Sequence, residues 1–200
     1  MEDQTIDTYN KITAEYFKAR VSSKGFSHLL EEFMGLLQPS AHILDAGCGF
    51  GRDSKVFTEN GFQVTGIDLS ENMITAARKY APKALFEIAD LNALSFKPNS
   101  FNAIWAMSSL VHLDFDQVAK VIQDFYTLLK KNGILFICVK NGQGKKVVRT
   151  AEFRNLPLTF YYYSKEQILA LADKNNFQLI KYTNAQSTTG DWHVFYFRKD

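Results

Sequence analysis

Residues 43–53 read Ile43-Leu44-Asp45-Ala46-Gly47-Cys48-Gly49-Phe50-Gly51-Arg52-Asp53, an apolar run that breaks into three alternating glycines and continues with residues suited to a helix. Glycine tolerates positive φ and lets main-chain N–H and C=O groups approach a ligand that a Cβ would hold away. A strand that ends in such a loop and opens a helix puts the loop at the carboxyl end of an α/β sheet, where these sheets bind ligands. The next apolar run, Val64-Thr65-Gly66-Ile67-Asp68, ends in a carboxylate about twenty residues on, the place from which an acidic side chain accepts ribose hydroxyls. Together they describe a site for adenosine. The spacing also separates nucleotide classes. A dinucleotide fingerprint, G-x-G-x-x-G, needs glycine at position 52, which is Arg52. The pattern G-x-G-x-G makes a wider turn without a clean helix N-terminus for a pyrophosphate, so a nucleoside lacking phosphate fits better.

Outward from this loop, secondary structure alternates. Apolar β-type runs at Ala41–Ala46, Phe62–Ile67, Ala84–Ile88, Phe101–Ala106 and Gly133–Val139 are separated by segments with helical spacing at Gly51–Asn60, Glu71–Tyr80, Asp116–Lys130 and Lys165–Asn175. This alternation predicts a parallel sheet covered on both faces. Asn60-Gly61 and Asn132-Gly133 are read as helix ends, and Ser70 and Ser164 as N-caps. Phe177–Tyr182 and Trp192–Arg198 are two further strands, close enough in sequence to pair antiparallel. Ile6–Arg20 and Phe26–Leu37 are two helices ahead of the first strand, expected over the sheet and near its mouth. No internal repeat or linker divides the chain, so residues 1–200 are expected to form one domain, with 1–38 as an N-terminal helical cap.

DAGCGFGRD followed by VTGIDLS resembles the first two motifs of the class I S-adenosylmethionine-dependent methyltransferases, and the resemblance extends over nearly the whole chain. Ala89-Asp90-Leu91 resembles the family's acidic motif, in which the carboxylate takes the adenine amino group and the next backbone N–H reaches a ring nitrogen. FNAIWAMSSLVHL resembles its substrate-facing segment. The family fold is a doubly wound α/β, Rossmann-like sheet of seven mostly parallel strands in order 3-2-1-4-5-7-6, the last strand antiparallel, with N-terminal helices. The resemblance implies S-adenosylmethionine as cofactor and S-adenosylhomocysteine as product. It implies a cofactor site comprising Asp45, Gly47, Cys48, Gly49, Gly51, Asp68, Leu69, Asp90, Leu91 and Met107, roofed by Tyr9 and Tyr16. For Asp45 the residues leave open a purely structural carboxylate, and for Cys48 a small loop filler.

Ala106–Leu113 is expected to face the transferred methyl group. It lacks the D/N-P-P-Y/F/W signature of base amino methylation and the Pro-Cys nucleophile of pyrimidine C5 methylation, leaving a small-molecule acceptor. His112 is a candidate base, or a packing residue. Ser108, Arg20 and Tyr162 are candidate acceptor contacts. Residues 140–163, long for a connection and carrying Lys140, Lys145, Lys146, Arg149 and Arg154 before Phe160-Tyr161-Tyr162-Tyr163, are a candidate lid, or a surface hairpin whose lysines face water.

Bulk properties agree. Of 200 residues, 46% are hydrophobic and the formal net charge is only +2, enough for a sizeable core and without a polybasic block for nucleic acid or membrane. Cys48 and Cys138 lack metal-ligand spacing, and no secretory signal or apolar span of about 18 residues occurs. A cytoplasmic enzyme acting on a small molecule is expected, with no metal. Alternatives are a protein or RNA methyltransferase, a regulatory module that holds the cofactor without turnover, and, disfavoured by Arg52, a nicotinamide oxidoreductase.

Overall fold

The structure, a computed structural model, describes residues 3–22, 26–187 and 190–200; residues 1–2 and 23–25 of the expected cap and 188–189 lie outside it. Two helices, α1 (Asp3–Arg20) and α2 (Ser27–Gly35), precede the alternating part of the chain. That part runs β1 (His42–Ala46), α3 (Arg52–Glu59), β2 (Gln63–Asp68), α4 (Glu71–Tyr80), β3 (Leu85–Ile88), β4 (Phe101–Met107), α5 (Phe115–Leu128) and β5 (Leu129–Lys140). After it come β6 (Gly144–Val148), β7 (Leu158–Tyr162), α6 (Lys165–Lys174), β8 (Phe177–Ser187) and β9 (Gly190–Lys199).

The main sheet has seven strands in order β3-β2-β1-β4-β5-β9-β8, the order expected once β6 and β7 are set aside. β9 runs antiparallel to both β5 and β8. The central strands β1, β4 and β5 are buried along nearly their full length because helices cover both faces. β3, at the edge, leaves Leu85 and Ile88 exposed.

The core is organised around Trp105 on β4. Its ring stacks on Phe136 of β5 at 3.8 Å between centroids and meets Phe33 of α2 at 4.9 Å and Phe57 of α3 at 5.5 Å. An indole N–H needs a partner when buried. Here it donates to Asp53 Oδ2 at 2.9 Å, in the first turn of α3, while Asp53 Oδ1 accepts from Arg52 Nε at 2.7 Å. This contact pins the helix that follows the glycine loop to the centre of the sheet.

Two sequence expectations need correction. Helix α5 stops at Leu128 rather than Lys130, because Leu129 is already extended and pairs with Phe101. The left-handed Asn132 (φ 63°) therefore lies within β5, where the register to β4 shifts, and not at a helix end. Residues 140–163 form an antiparallel hairpin, β6–β7, with a single 3-10 turn at Ala151–Phe153. The Ser70 and Ser164 caps are as read, each accepting a hydrogen bond from the backbone N–H three residues on.

Replacing Trp105 by Phe keeps the aromatic stack but leaves Asp53 Oδ2 without its buried donor. Urea denaturation should show a loss of about 1–3 kcal/mol; unchanged stability would mean that the indole N–H contributes nothing to anchoring α3.

Candidate active site

The carboxyl ends of β1, β2 and β4 meet in an open cleft, the place where an α/β sheet takes its ligands. Its floor is the glycine loop. Gly47 and Cys48 both donate backbone N–H bonds to Ile67 O at 2.8 Å, tying the loop to β2. Gly47 (φ 82°) must be glycine, since a Cβ there would lie 2.3 Å from the Cβ of Ser109. At Gly49 (φ 53°) a Cβ would meet nothing within 4 Å, so the main chain lines open space that a ligand can enter.

Asp68 closes the loop from the β2 side. Its Oδ2 accepts from Gly49 N–H at 2.9 Å and its Oδ1 from Ser70 N–H at 2.9 Å. Burial pushes the carboxyl pKa up and these N–H bonds oppose it. Each oxygen keeps a further lone pair for a ligand hydroxyl. Ile67, Leu69, Ala89 and Leu91 make an apolar slot beside it.

The opposite wall comes from α1 and from the end of β4. Tyr9 and Tyr16 line the cleft, their rings edge-on at 5.6 Å. Asn10 holds α1 against α4: its Oδ1 accepts from Ser70 Oγ at 2.7 Å and from Asn72 N–H at 3.2 Å, and its carbonyl accepts from Asn72 Nδ2 at 2.8 Å. On its other side α1 meets the β6–β7 hairpin. Thr8 Oγ1 donates to Pro157 O at 2.8 Å, Thr159 N–H donates to Thr5 Oγ1 at 3.3 Å, and Ile12, Phe153 and Leu158 form a small buried cluster.

His112 joins the two walls. Its Nδ1 lies 2.8 Å from the carbonyl of Thr159 and its Nε2 lies 3.0 Å from the Tyr9 hydroxyl. A carbonyl only accepts, so Nδ1 carries the hydrogen and Nε2 is left as an acceptor for Tyr9 O–H. Burial, with Lys140 adding to it, pushes the imidazole pKa down to about 4. Burial pushes the Tyr9 phenol up. The pair is therefore neutral, with the proton on tyrosine.

Comparison with known proteins agrees with this geometry. Residues 43–133 match the methyltransferase domain family. The matched stretch runs from β1 and the glycine loop into β5. The chain is 28% identical over 188 residues to the 2-methyl-6-phytyl-1,4-hydroquinone methyltransferase of Synechocystis sp., a match that covers 84% of this chain and 55% of that relative. This chain thus spans about half of that relative's length. Among solved structures, the chain resembles an S-adenosylmethionine-dependent methyltransferase of Methanosarcina mazei, with a TM-score of 0.76 at 20% identity, covering 84% of this chain and 96% of that one. It also resembles the 1,6-didemethyltoxoflavin-N1-methyltransferase of Burkholderia thailandensis, solved with its substrate and S-adenosylhomocysteine, with a TM-score of 0.72 at 19% identity, covering 97% and 87%. At these identities the structural likeness concerns the fold.

The cleft brings together Tyr9, Tyr16, Gly47, Gly49, Asp68, Leu69, Leu91, Met107, Ser108 and His112. Six sequence-predicted residues stand elsewhere. Asp45 is buried behind the loop, accepts from Ser54 Oγ at 2.6 Å, and has its pKa raised by burial and the nearby Asp53. Cys48 points away into a cluster with Ile74, Ala77 and Phe86. A Cβ at Gly51 would come within 3.0 Å of the Phe86 ring, so this glycine serves helix packing. Asp90 Oδ1 caps the turn at Leu91–Ala93 by accepting from Asn92 N–H at 2.9 Å and from Asn92 Nδ2 at 3.1 Å. Arg20 pairs with Glu152 at 3.3 Å and lies over Phe153. Tyr162 faces Lys146 on the hairpin, and no residue of 140–163 lines the cleft. The hairpin acts through α1 and His112 instead. Sequence reasoning missed Asn10, Ser109 and Thr159, whose site contacts reach residues far away in the chain.

His112 makes stability depend on pH. Its folded pKa lies below the ordinary 6.5, so the unfolded chain binds the extra proton first and stability is lost as pH falls from 6.5 toward 4. The slope from this group is at most about 1.4 kcal/mol per pH unit. His112→Gln should flatten the decline between pH about 7 and about 5 in denaturation experiments, while His42 and His193, whose pKa values are also lowered, contribute equally to both proteins. Parallel curves for the two proteins would refute a neutral buried His112.

Proposed function

We propose that this chain is an enzyme that binds S-adenosylmethionine and transfers its methyl group to a small, planar, uncharged acceptor. The observation that carries the reading is the charge composition of the cleft. Among the described residues that line it, Asp68 is the one carboxyl side chain and none is Lys or Arg. Such a cleft favours a cation over a diphosphate. Tyr9 and Tyr16 line the same cleft, and aromatic rings suit a neighbouring positive charge. Asp68 supplies acceptors for ribose hydroxyls, and the apolar slot at Ile67, Leu69, Ala89 and Leu91 suits a flat adenine ring.

When bound, S-adenosylmethionine supplies a methyl group already activated by its positive sulfur. The task left to the protein is alignment, since in-line geometry removes much of the entropic barrier. Tyr9, its proton committed to His112 Nε2, keeps oxygen lone pairs with which to orient an acceptor hydroxyl or N–H. The raised phenol pKa keeps it protonated, so Tyr9 is proposed to position the acceptor rather than to ionise. Met107 and Ser108 complete this end. The planar acceptor follows from the aromatic wall and the absence of cations in the lining. It agrees with the hydroquinone and toxoflavin precursor named for the two relatives above. Arg20 and the basic hairpin make their contacts elsewhere. A cytoplasmic location belongs to the same proposal and is supported by two buried free cysteines. Among the described residues no helix is long and apolar enough to cross a membrane.

S-adenosylmethionine or S-adenosylhomocysteine should raise the melting temperature and NAD should not; at about 100 times the dissociation constant the gain is about 2.7 kcal/mol. Asp68→Ala should remove that gain while circular dichroism shows a folded protein. Labelled cofactor incubated with phenols, quinols and nitrogen heterocycles, followed by mass detection, should give a methylated product. Stabilisation by NAD alone would reverse the cofactor assignment, and binding without product from any acceptor class would favour the regulatory module.

A further inference from the structure

Ser109 is 6% exposed, lines the cleft, and its Oγ has no hydrogen-bond partner. Buried hydroxyls are almost always bonded, so an idle one needs an explanation. Local structure does not supply it. Ser109 occupies the N-cap position of the 3-10 turn Leu110–His112, yet its side chain makes no cap bond. Ser70 and Ser164, in the corresponding positions of α4 and α6, both do. Only the Ser109 backbone works here, its carbonyl accepting from His112 N–H at 3.2 Å.

The position of Ser109 suggests what its hydroxyl is for. It lies against Gly47, at the end of β4, while the ribose acceptor Asp68 stands at the end of β2 with β1 between them. A nucleoside whose ribose is held at Asp68 extends its 5′ substituent from β2 across the glycine loop toward β4. The substituent of an S-adenosyl ligand ends in an amino acid, whose carboxylate needs donors. Among the described residues no Lys or Arg lines the cleft, so neutral donors meet it. We propose that the Ser109 hydroxyl turns into the cleft and donates a hydrogen bond to the carboxylate of the amino-acid tail. A serine side chain reaches its other staggered positions by rotation about one bond, without backbone movement. This inference rests on the cofactor proposed above and assigns to Ser109 the recognition of its tail.

The test uses two ligands that share the adenosine and the sulfur: S-adenosylhomocysteine, which has the amino-acid tail, and 5′-methylthioadenosine, which lacks it. By titration calorimetry, Ser109→Ala should bind S-adenosylhomocysteine about tenfold more weakly, the effect of one charge-assisted hydrogen bond, and should bind 5′-methylthioadenosine as the wild type does. Ser109→Cys, with a poor donor, should behave like the alanine variant. The melting temperature of the free protein should not fall, because the hydroxyl has no partner to lose. Unchanged affinity for S-adenosylhomocysteine, or equal weakening of both ligands, would overturn the role of Ser109. Wild-type protein that binds neither ligand would overturn the cofactor reading and this inference with it.

Discussion

The site depends first on the Asp68 carboxylate, which one residue uses to fix three segments. It accepts from Gly49 in the loop and from Ser70 at the head of α4, while it stands itself at the end of β2. A carboxylate bonded to backbone N–H groups is among the stronger arrangements available to a side chain. It holds a loop of positive-φ glycines that has little intrinsic preference for one shape. The same oxygens face the cleft, so the groups that shape the loop also meet the ligand. Ser70 continues the chain of contacts, capping α4 through Oγ and donating from it to Asn10, which draws α1 over the opening.

The second half of the site has a different origin. Tyr9 is on α1, His112 follows β4, and Thr159 belongs to the hairpin; the imidazole bridges them through its two nitrogens. Burial keeps that ring neutral, and a carbonyl that can only accept decides which nitrogen holds the hydrogen. The donor half rests on the parallel sheet and the acceptor half on segments packed against it.

The sequence made the sheet legible because buried parallel strands carry continuous apolar runs, and because Asp68 ends one of them and Gly47, Gly49 and Leu91 follow directly after others. Where legibility failed, the causes are physical. β6 (Gly144-Lys145-Lys146-Val147-Val148) is exposed for most of its length and charged, so it shows no alternation to mark it as a strand. Asp45 sits on a strand buried on both faces, and periodicity cannot say whether its side chain turns toward the loop interior or the cleft. Asp90 follows β3, and its side chain is used by the turn that comes next. Asn10 and Ser70 are 60 positions apart, and polar contacts of that range leave no local pattern.

The bond from His112 Nδ1 to the Thr159 carbonyl has an evolutionary consequence. The direction of the imidazole lone pair is set by the backbone of a surface hairpin that never touches the cleft. Insertions, deletions or substitutions in that hairpin can therefore re-aim the ring, and Tyr9 with it, without disturbing Asp68 or the glycines. Outer strands of hairpins accept such changes readily. Drift in a peripheral segment can in this way alter which molecules are accepted while leaving nucleoside binding intact, giving one scaffold a route to new chemistry through residues that a comparison of cleft linings would overlook.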